Sequence, residues 1–202
     1  HFRYPGHENV PLVDSPLGPI PNEWSGLTIG DVLELRYGKA LKKDDRRGGP
    51  VAVVSSAGVV GWHDKALVSG PAIVVGRKGN VGSVTWVDGE SWPIDTAYFV
   101  ETDLPLRYVA EQLRRTEFLN THAAVPGLSR EQAYSRPFLR PPDEVMERFE
   151  SVVGGLADEG RALALSSERL ASVRDLLLPK LVTGQIDVSR LQLDELAEVA
   201  SA

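Results

Sequence analysis

The sequence contains no cysteine, and this absence removes several classes of site at once. A chain without thiols cannot form a disulfide scaffold, hold a metal ion through thiolates or use a cysteine nucleophile. The sequence also lacks a run of about eighteen uncharged apolar residues, so no membrane span is expected. Because no signal-peptide pattern is recognisable, the expected location is the cytoplasm.

The sequence motifs of familiar catalytic chemistry are absent as well. Neither G-x-S-x-G nor H-E-x-x-H occurs, and the G-x-x-x-x-G-K-[ST] phosphate loop is missing. The four histidines show no spacing typical of metal ligands. Gly76–Gly82 has a G-x-x-G-x-x-G pattern, but it lies between two predicted strands and does not open a helix. We therefore expect no enzyme activity, no cofactor and no metal site in this chain.

Charge is distributed unevenly along the 202 residues. The net charge is −6, but residues 1–142 carry 16 Lys and Arg against 16 Asp and Glu. Residues 143–202 carry 6 Lys and Arg against 12 Asp and Glu, so they hold the whole excess of negative charge. An acidic protein is an unusual nucleic-acid binder, but this objection applies only to the last third of the chain.

The chain divides into four predicted segments with a core domain of the α+β class. Short β-branched and aromatic runs bounded by Gly, Pro and Asp indicate strands, and apolar residues at helical spacing indicate helices. The segments are a Pro-rich lead-in arm (1–24), an α+β domain (25–142), a long helix (143–178) and a C-terminal tail (179–202). The predicted elements of the domain are a helix or strand at 27–35, a charged loop at 39–49, strands at 51–55, 72–76, 82–87 and 96–100, a helix at 106–120 and a short helix capped by Ser129.

A seven-residue apolar repeat runs through the predicted long helix. Such a repeat is typical of one helix in a left-handed coiled coil. At about 1.5 Å per residue the helix would measure roughly 54 Å, and we expect a second helix to lie against it. The alternative is that it folds back on its own domain. The residues expected to pair are Phe149, Val152, Leu156, Leu163, Leu170, Val173 and Leu177.

Several loops of the predicted domain combine cations with polar and aromatic side chains. Lys39–Arg47 contains five cations, and Arg77, Lys78 and Asn80 lie in a loop flanked by glycines. Cations of this kind contact phosphates, and Arg, Lys and Asn also reach base edges. The pattern favours nucleic-acid binding, although solvated turns would have the same composition.

Six segments, taken in order, resemble the specificity (S) subunits of type I restriction–modification systems. The likeness covers about residues 17–190 and matches a single target-recognition domain followed by one spacer helix. The S subunits of this family usually carry two such domains and two antiparallel helices, so this chain would be half of a subunit, either a half-sized one or a C-terminal half. The segments are Leu17–Trp24, Gly70–Gly82, Trp92–Tyr98, Pro126–Arg130, Leu139–Pro142 and Leu170–Ile186.

The resemblance implies a non-catalytic chain that chooses the DNA sequence for other subunits. Its expected partners are double-stranded DNA, the modification (methyltransferase) subunit, the restriction subunit, and another S half or a second copy bound through the long helix. S-adenosylmethionine and ATP would bind to the partner subunits. The complex would recognise a bipartite site, with the helix setting the separation of its halves.

The expected DNA contacts lie on loops of the 25–142 domain. A solvated loop position is the alternative for each of them, and Asp95 and Thr96 are expected to be structural. The residues expected to touch phosphates or bases are Lys42, Lys43, Arg46, Arg47 and Arg77. Those expected to read bases are Ser56, Trp62, His63, Lys78 and Asn80, with Arg130 and Tyr134 as further candidates.

Two other functions stay open on the sequence alone. The first is a protein-interaction module with a coiled-coil dimerisation tail, whose loops would bind another protein. The second is a small hydrolase or sugar-binding domain that uses Trp62, His63 or Asp95 in a pocket.

Overall fold

A computed structural model describes residues 9–118 and 127–186 of the chain. The chain forms two compact units that divide between Gly154 and Gly155. The first unit is rich in strands, and the last helix, α4, begins in it and continues into the second unit. The α+β prediction is therefore confirmed.

Strands and helices alternate irregularly along the first unit. The β-strands are β1 (Leu12–Val13), β2 (Ile20–Pro21), β3 (Ser25–Thr28), β4 (Glu34–Tyr37), β5 (Val51–Ser55), β6 (Gly58–His63), β7 (Ala72–Gly76), β8 (Val84–Val87), β9 (Ser91–Pro93), β10 (Ala97–Glu101) and β11 (Pro137–Arg140). The α-helices are α1 (Ile29–Val32), α2 (Leu106–Arg115), α3 (Arg130–Tyr134) and α4 (Asp143–Val182), and a 3-10 turn covers Lys43–Asp45.

The largest sheet is antiparallel and has the strand order β4-β10-β7-β8. Its central strand β7 is buried along its whole length, which explains its uninterrupted apolar sequence. Helix α2 covers the sheet with its apolar side, where Val109 and Leu113 are fully buried. This arrangement gives the unit its main hydrophobic core, which also includes Tyr98 of β10 and Phe138 of β11.

A second sheet has the order β6-β5-β9. Strand β5 is buried throughout and runs antiparallel to β6 and parallel to β9. Because Ala52 and Val54 of β5 pack with Val74 and Ala97 of the first sheet, a small apolar cluster joins the two sheets.

Two short antiparallel pairs complete the first unit. β1 pairs with β2 inside the proline-rich lead-in segment, where Ile20 is buried. β3 pairs with β11, which precedes the long helix. The lead-in arm therefore contributes a short two-stranded ladder, while residues 1–8 lie outside the described part of the chain.

Several elements differ from the sequence-based predictions. The helix predicted at 106–120 ends at Arg115. The segment 27–35, predicted as a helix or a strand, contains both: the end of β3, the short helix α1 and the start of β4. The segment around Trp62, predicted as a loop, is the edge strand β6. Gly58 and Gly61 interrupt its β-branched run, so the segment lacks the continuous pattern that predicts a strand.

Helix α4 runs four residues further than expected, to Val182. Pro179 lies within its final turn, where the loss of one backbone N–H removes a single helical hydrogen bond. Gly184 lies two residues beyond the end of the helix, and its positive φ of 70° suits a C-terminal cap. The backbone N–H of Gln185 closes this end by donating to the carbonyl of Lys180. Among the described helices none is both long and apolar enough to span a membrane.

Candidate nucleic-acid interface

Two loops leave the same end of the four-stranded sheet because of the register of its strands. Tyr37, the last residue of β4, lies opposite Tyr98, and Ala97 lies opposite Gly76, the last residue of β7. The loops that follow β4 and β7 therefore leave the sheet at the same end of its strands. The loop after β4 carries Lys39, and the loop after β7 carries Arg77 and Lys78. We call this end of the strands the cationic end of the sheet.

Two arginines pack on one tyrosine ring at the cationic end. The guanidinium carbon of Arg77 lies 5.0 Å from the ring centre of Tyr37, and that of Arg130 lies 4.2 Å from it. These distances are in the range of cation–π contacts. Arg77 also donates a 2.9 Å hydrogen bond to the main-chain oxygen of Asp95.

The segment that carries Arg130 is fastened to the sheet by main-chain and side-chain bonds. The backbone N–H of Leu128 donates to the carbonyl of Arg77 at 2.8 Å. The hydroxyl of Tyr98 donates to the carbonyl of Leu128 at 2.9 Å. Ser129 then caps α3 by accepting from the backbone N–H of Gln132, as predicted. These contacts fix the start of α3 beside the loop that follows β7.

Burial raises the pKa of Tyr98 to about 12, and the neighbouring hydroxyl of Tyr37 acts in the same direction. The positive charges of Arg77 and Arg130 oppose this shift. The hydroxyl of Tyr98 is therefore protonated at neutral pH and able to donate its hydrogen bond.

The loop between β7 and β8 presents Lys78 and Asn80 to solvent. Glycine is required at its start, because a Cβ on Gly76 would lie 2.0 Å from the carbonyl oxygen of Asn80. Ser83 donates a 2.6 Å hydrogen bond to the carbonyl of Ser56 and so joins this loop to the turn between β5 and β6. Ser56 itself is buried, which favours a supporting role over base reading.

The loop between β4 and β5 contributes a second group of cations. Lys42, Lys43 and Arg47 are exposed, and Arg47 forms an ion pair with Asp64 at 3.3 Å. Arg46 donates a 2.7 Å hydrogen bond to the carbonyl of Val60, so it fastens the loop to the edge strand β6.

Strand β6 places its two candidate residues in different environments. The side chain of Trp62 is 53% exposed on this edge strand. His63 is buried, with its ring 5.4 Å from that of Trp92 in an edge-to-face arrangement. Its Nδ1 accepts a hydrogen bond from the backbone N–H of Arg47. This placement leaves Trp62 available to a ligand and favours a structural role for His63.

Tyr134 lies apart from the exposed loops. Its hydroxyl accepts a 3.0 Å hydrogen bond from the backbone N–H of Leu35, and its ring packs against the main core. A Cβ on Gly30 would lie 2.9 Å from Cβ of Tyr134, so α1 and α3 approach closely here. These contacts favour a structural role for Tyr134.

Sequence reasoning missed two residues at this surface, Tyr37 and Trp92, and it counted Lys39 among the loop cations without including it in the expected contacts. Tyr37 supplies the ring that both arginines contact, and its side chain is about half exposed. The indole of Trp92 donates to the carbonyl of Lys39 at 2.9 Å. The available signal was the string Tyr37-Gly38-Lys39, an aromatic and a cation separated by glycine at the end of a strand.

The residues expected to pair along α4 divide between the two units. Phe149, in the first unit, packs edge-to-face on Tyr108 at 5.5 Å and belongs to the domain core. In the second unit Leu163 and Leu170 are 62% and 67% exposed. The residues expected to pair that are exposed on α4 are Val152, Leu156, Leu163, Leu170, Val173 and Leu177.

The described residues contain no cluster of three or more His, Asp or Glu side chains arranged to hold a metal ion.

Comparisons with known proteins find similarity at the level of structure. No family model matches the sequence, and no curated protein matches it. The S subunit of a type I restriction–modification system from M. genitalium superposes with a TM-score of 0.68 at 18% sequence identity. The alignment covers 86% of this chain and 46% of that one.

A second solved structure concerns complex assembly and conformational transition of the type I restriction–modification system. It matches with a TM-score of 0.53 at 14% identity, over 86% of this chain and 48% of that chain. The chain thus spans about half the length of the structures that it matches. It has the fold of one half of a type I S subunit, and the resemblance expected from the sequence is confirmed at this level.

Proposed function

We propose that this chain is a non-catalytic DNA-recognition subunit, or half-subunit, of a type I restriction–modification complex. It binds duplex DNA through the cationic end of the sheet and directs the modification and restriction subunits to a bipartite site. The fold supports this proposal, since a solved S subunit has the same arrangement over 86% of this chain.

The observation that carries the proposal is a set of cations without acidic partners. Arg36 forms an ion pair with Glu101, and Arg140 forms one with Asp143. By contrast, Arg77, Lys78 and Arg130 have no carboxylate within 4.0 Å among residues 9–118 and 127–186. Unpaired cations on one edge attract a polyanion, and phosphate contacts of this kind position a protein on DNA.

The neighbouring loops supply groups that can reach base edges. Lys78 and Asn80 are exposed on the loop after β7, and both residue types hydrogen-bond to bases in the major groove. Trp62 is exposed on the edge strand β6 near the cations of the β4–β5 loop, as the bond from Arg46 to Val60 shows. We assign phosphate contacts to Lys42, Lys43, Arg47 and Arg77, and base reading to Lys78, Asn80 and Trp62.

Helix α4 supplies the proposed assembly surface. Four of its exposed leucines in the second unit recur every seven residues, as in one strand of a coiled coil: Leu156, Leu163, Leu170 and Leu177. We propose that a second copy, or another S half, lies antiparallel along them, and that the two domains then read the two parts of the site. A twofold dimer would read a palindromic site.

Binding to random-sequence duplex DNA over a range of salt concentrations tests this function. Fluorescence anisotropy should detect binding at low salt that weakens steeply as salt is added, because each phosphate contact releases counterions. Absence of binding, or binding that salt does not alter, would instead favour the alternative function, a protein-interaction module with a coiled-coil tail.

A further inference from the structure

The contact of Arg77 and Arg130 with the same tyrosine ring defines a small site within the cationic end. Their guanidinium carbons lie 5.0 and 4.2 Å from the ring centre of Tyr37. Because both distances are measured to one point, the two carbons are no more than about 9 Å apart. That upper limit is compatible with one phosphate accepting hydrogen bonds from both groups.

The two guanidinium groups keep most of their donors for a ligand. Each arginine carries five N–H donors. Within the described residues Arg77 uses one of its nitrogens on the carbonyl of Asp95. The guanidinium of Arg130 donates no hydrogen bond to that part of the chain. It lies against the ring of Tyr37, and its Nε is buried without a partner, which leaves its terminal nitrogens for a ligand. Two like charges held close together repel each other, and a bound anion relieves this repulsion.

Tyr37 is itself held firmly by the sheet. It pairs with Tyr98 across β4 and β10, and the two rings are tilted at a centre-to-centre distance of 5.1 Å. Arginine stacks readily on aromatic faces. The ring thus acts as a platform that keeps two long and otherwise mobile side chains in one place before any ligand binds.

We propose that Arg77 and Arg130 together bind one backbone phosphate of duplex DNA, and that Tyr37 is the positioning residue of this site. The inference rests on the proposed function, because it takes DNA as the source of the phosphate. It adds that two arginines from distant parts of the chain share a single phosphate, and that an aromatic residue prepares them for it.

The number of phosphates bound can be measured from the salt dependence of DNA affinity. We would compare the full wild-type chain with Arg77→Gln, Arg130→Gln and the double variant on a random-sequence duplex. Each phosphate that loses its cation lowers the slope of log affinity against log salt by about 0.9. A shared phosphate predicts near-wild-type slopes for both single variants, about tenfold weaker binding for each, and a slope lower by about 0.9 for the double variant.

Different outcomes overturn different claims. If each single variant lowers the slope by about 0.9 and the double variant by about 1.8, the arginines bind separate phosphates and the shared site is wrong. An unchanged slope in the double variant, with wild-type binding intact, also refutes the site but leaves DNA recognition standing. Failure of the wild-type chain to bind any duplex at low salt refutes both. Arg148→Gln, an exposed arginine on α4, is the control for loss of one positive charge.

Variants of Tyr37 test the positioning role separately. Tyr37→Phe keeps the aromatic face and should bind DNA like the wild type. Tyr37→Leu retains an apolar side chain at the end of the sheet but lacks the aromatic face that the two arginines contact. It should weaken DNA binding about as much as the loss of one arginine. Introduced into the double arginine variant, Tyr37→Leu should cause no further loss. Thermal unfolding checks that each variant is folded, and a further loss in that background would overturn the positioning role.

Discussion

The hydroxyl of Tyr98 donates a 2.9 Å hydrogen bond to the main-chain oxygen of Leu128. Tyr98 belongs to the central part of the four-stranded sheet, whereas Leu128 lies two residues before Arg130, the first residue of the short helix α3. This bond therefore connects the core to the segment that brings Arg130 beside Arg77. The cationic end of the sheet depends on such buried contacts as much as on its charged side chains.

Replacing Tyr98 by Phe should lower the free energy of unfolding by about 1–3 kcal/mol, because the carbonyl of Leu128 would lose a buried donor. The ring would remain, so the packing of the core should be retained. Urea unfolding followed by circular dichroism would measure the change. An unchanged midpoint would contradict the structural importance of this bond.

Trp62→Ala should reduce the discrimination between DNA sequences with little effect on stability. The side chain is about half exposed, so its removal should change the free energy of unfolding by less than about 0.5 kcal/mol. A base-reading contact contributes about 1–3 kcal/mol of discrimination. Competition between a selected duplex and a scrambled one would measure it. Val59→Ala, an exposed apolar position of the same strand, is the control.

Replacing Leu163 and Leu170 by Asp should separate assemblies formed through α4. Charges at these positions would have to be buried against the partner helix, which is strongly unfavourable. Light scattering should show a smaller mass for the double variant, while the circular dichroism of the strand-rich unit stays the same. The matched control is Ala164→Asp with Ala171→Asp, one position along from each leucine. Equal masses for the wild type and the leucine variant would refute the pairing surface.

Alkaline pH should destabilise the first unit through its buried tyrosines, Tyr98 and Tyr108, and the contribution of Tyr108 can be tested by substitution. Burial raises the pKa of this tyrosine to about 12 in the folded state, against about 10 for an exposed tyrosine. Below pH 10 both states are protonated and stability is unaffected. Between about pH 10 and 12 the unfolded state loses its proton first, so the free energy of unfolding falls as pH rises.

Tyr108→Phe should make that decline smaller, although it also removes the hydrogen bond to the carbonyl of Leu139. Urea unfolding at pH 8 and at several values from 9.5 to about 12 would measure both effects. If the two proteins lost stability in parallel over the alkaline range, the assignment to Tyr108 would be wrong.

The sequence was sufficient to predict elements whose pattern is local. Val51–Ser55 and Ala72–Gly76 are uninterrupted apolar runs, and both are strands with the predicted bounds. Ser129 has the spacing of a capping residue and caps α3 as expected. These features depend on neighbouring residues, so a single chain reveals them.

The arrangement of the candidate site could not be predicted in the same way. Tyr37, Arg77 and Arg130 meet because β10 lies between β4 and β7, an order that differs from the order along the chain. His63 and Tyr134 have polar side chains that suggest ligand contact, yet both are used inside the fold. Whether a polar residue supports a surface or forms it depends on tertiary packing that composition does not specify.

The most direct test of the central claim is selection of bound duplexes from a random library by the full chain at low salt. A DNA-recognition subunit should enrich a defined sequence, and Lys78→Ala or Asn80→Ala should relax the preference at individual base positions. Bound pools with the composition of the starting library would contradict the account.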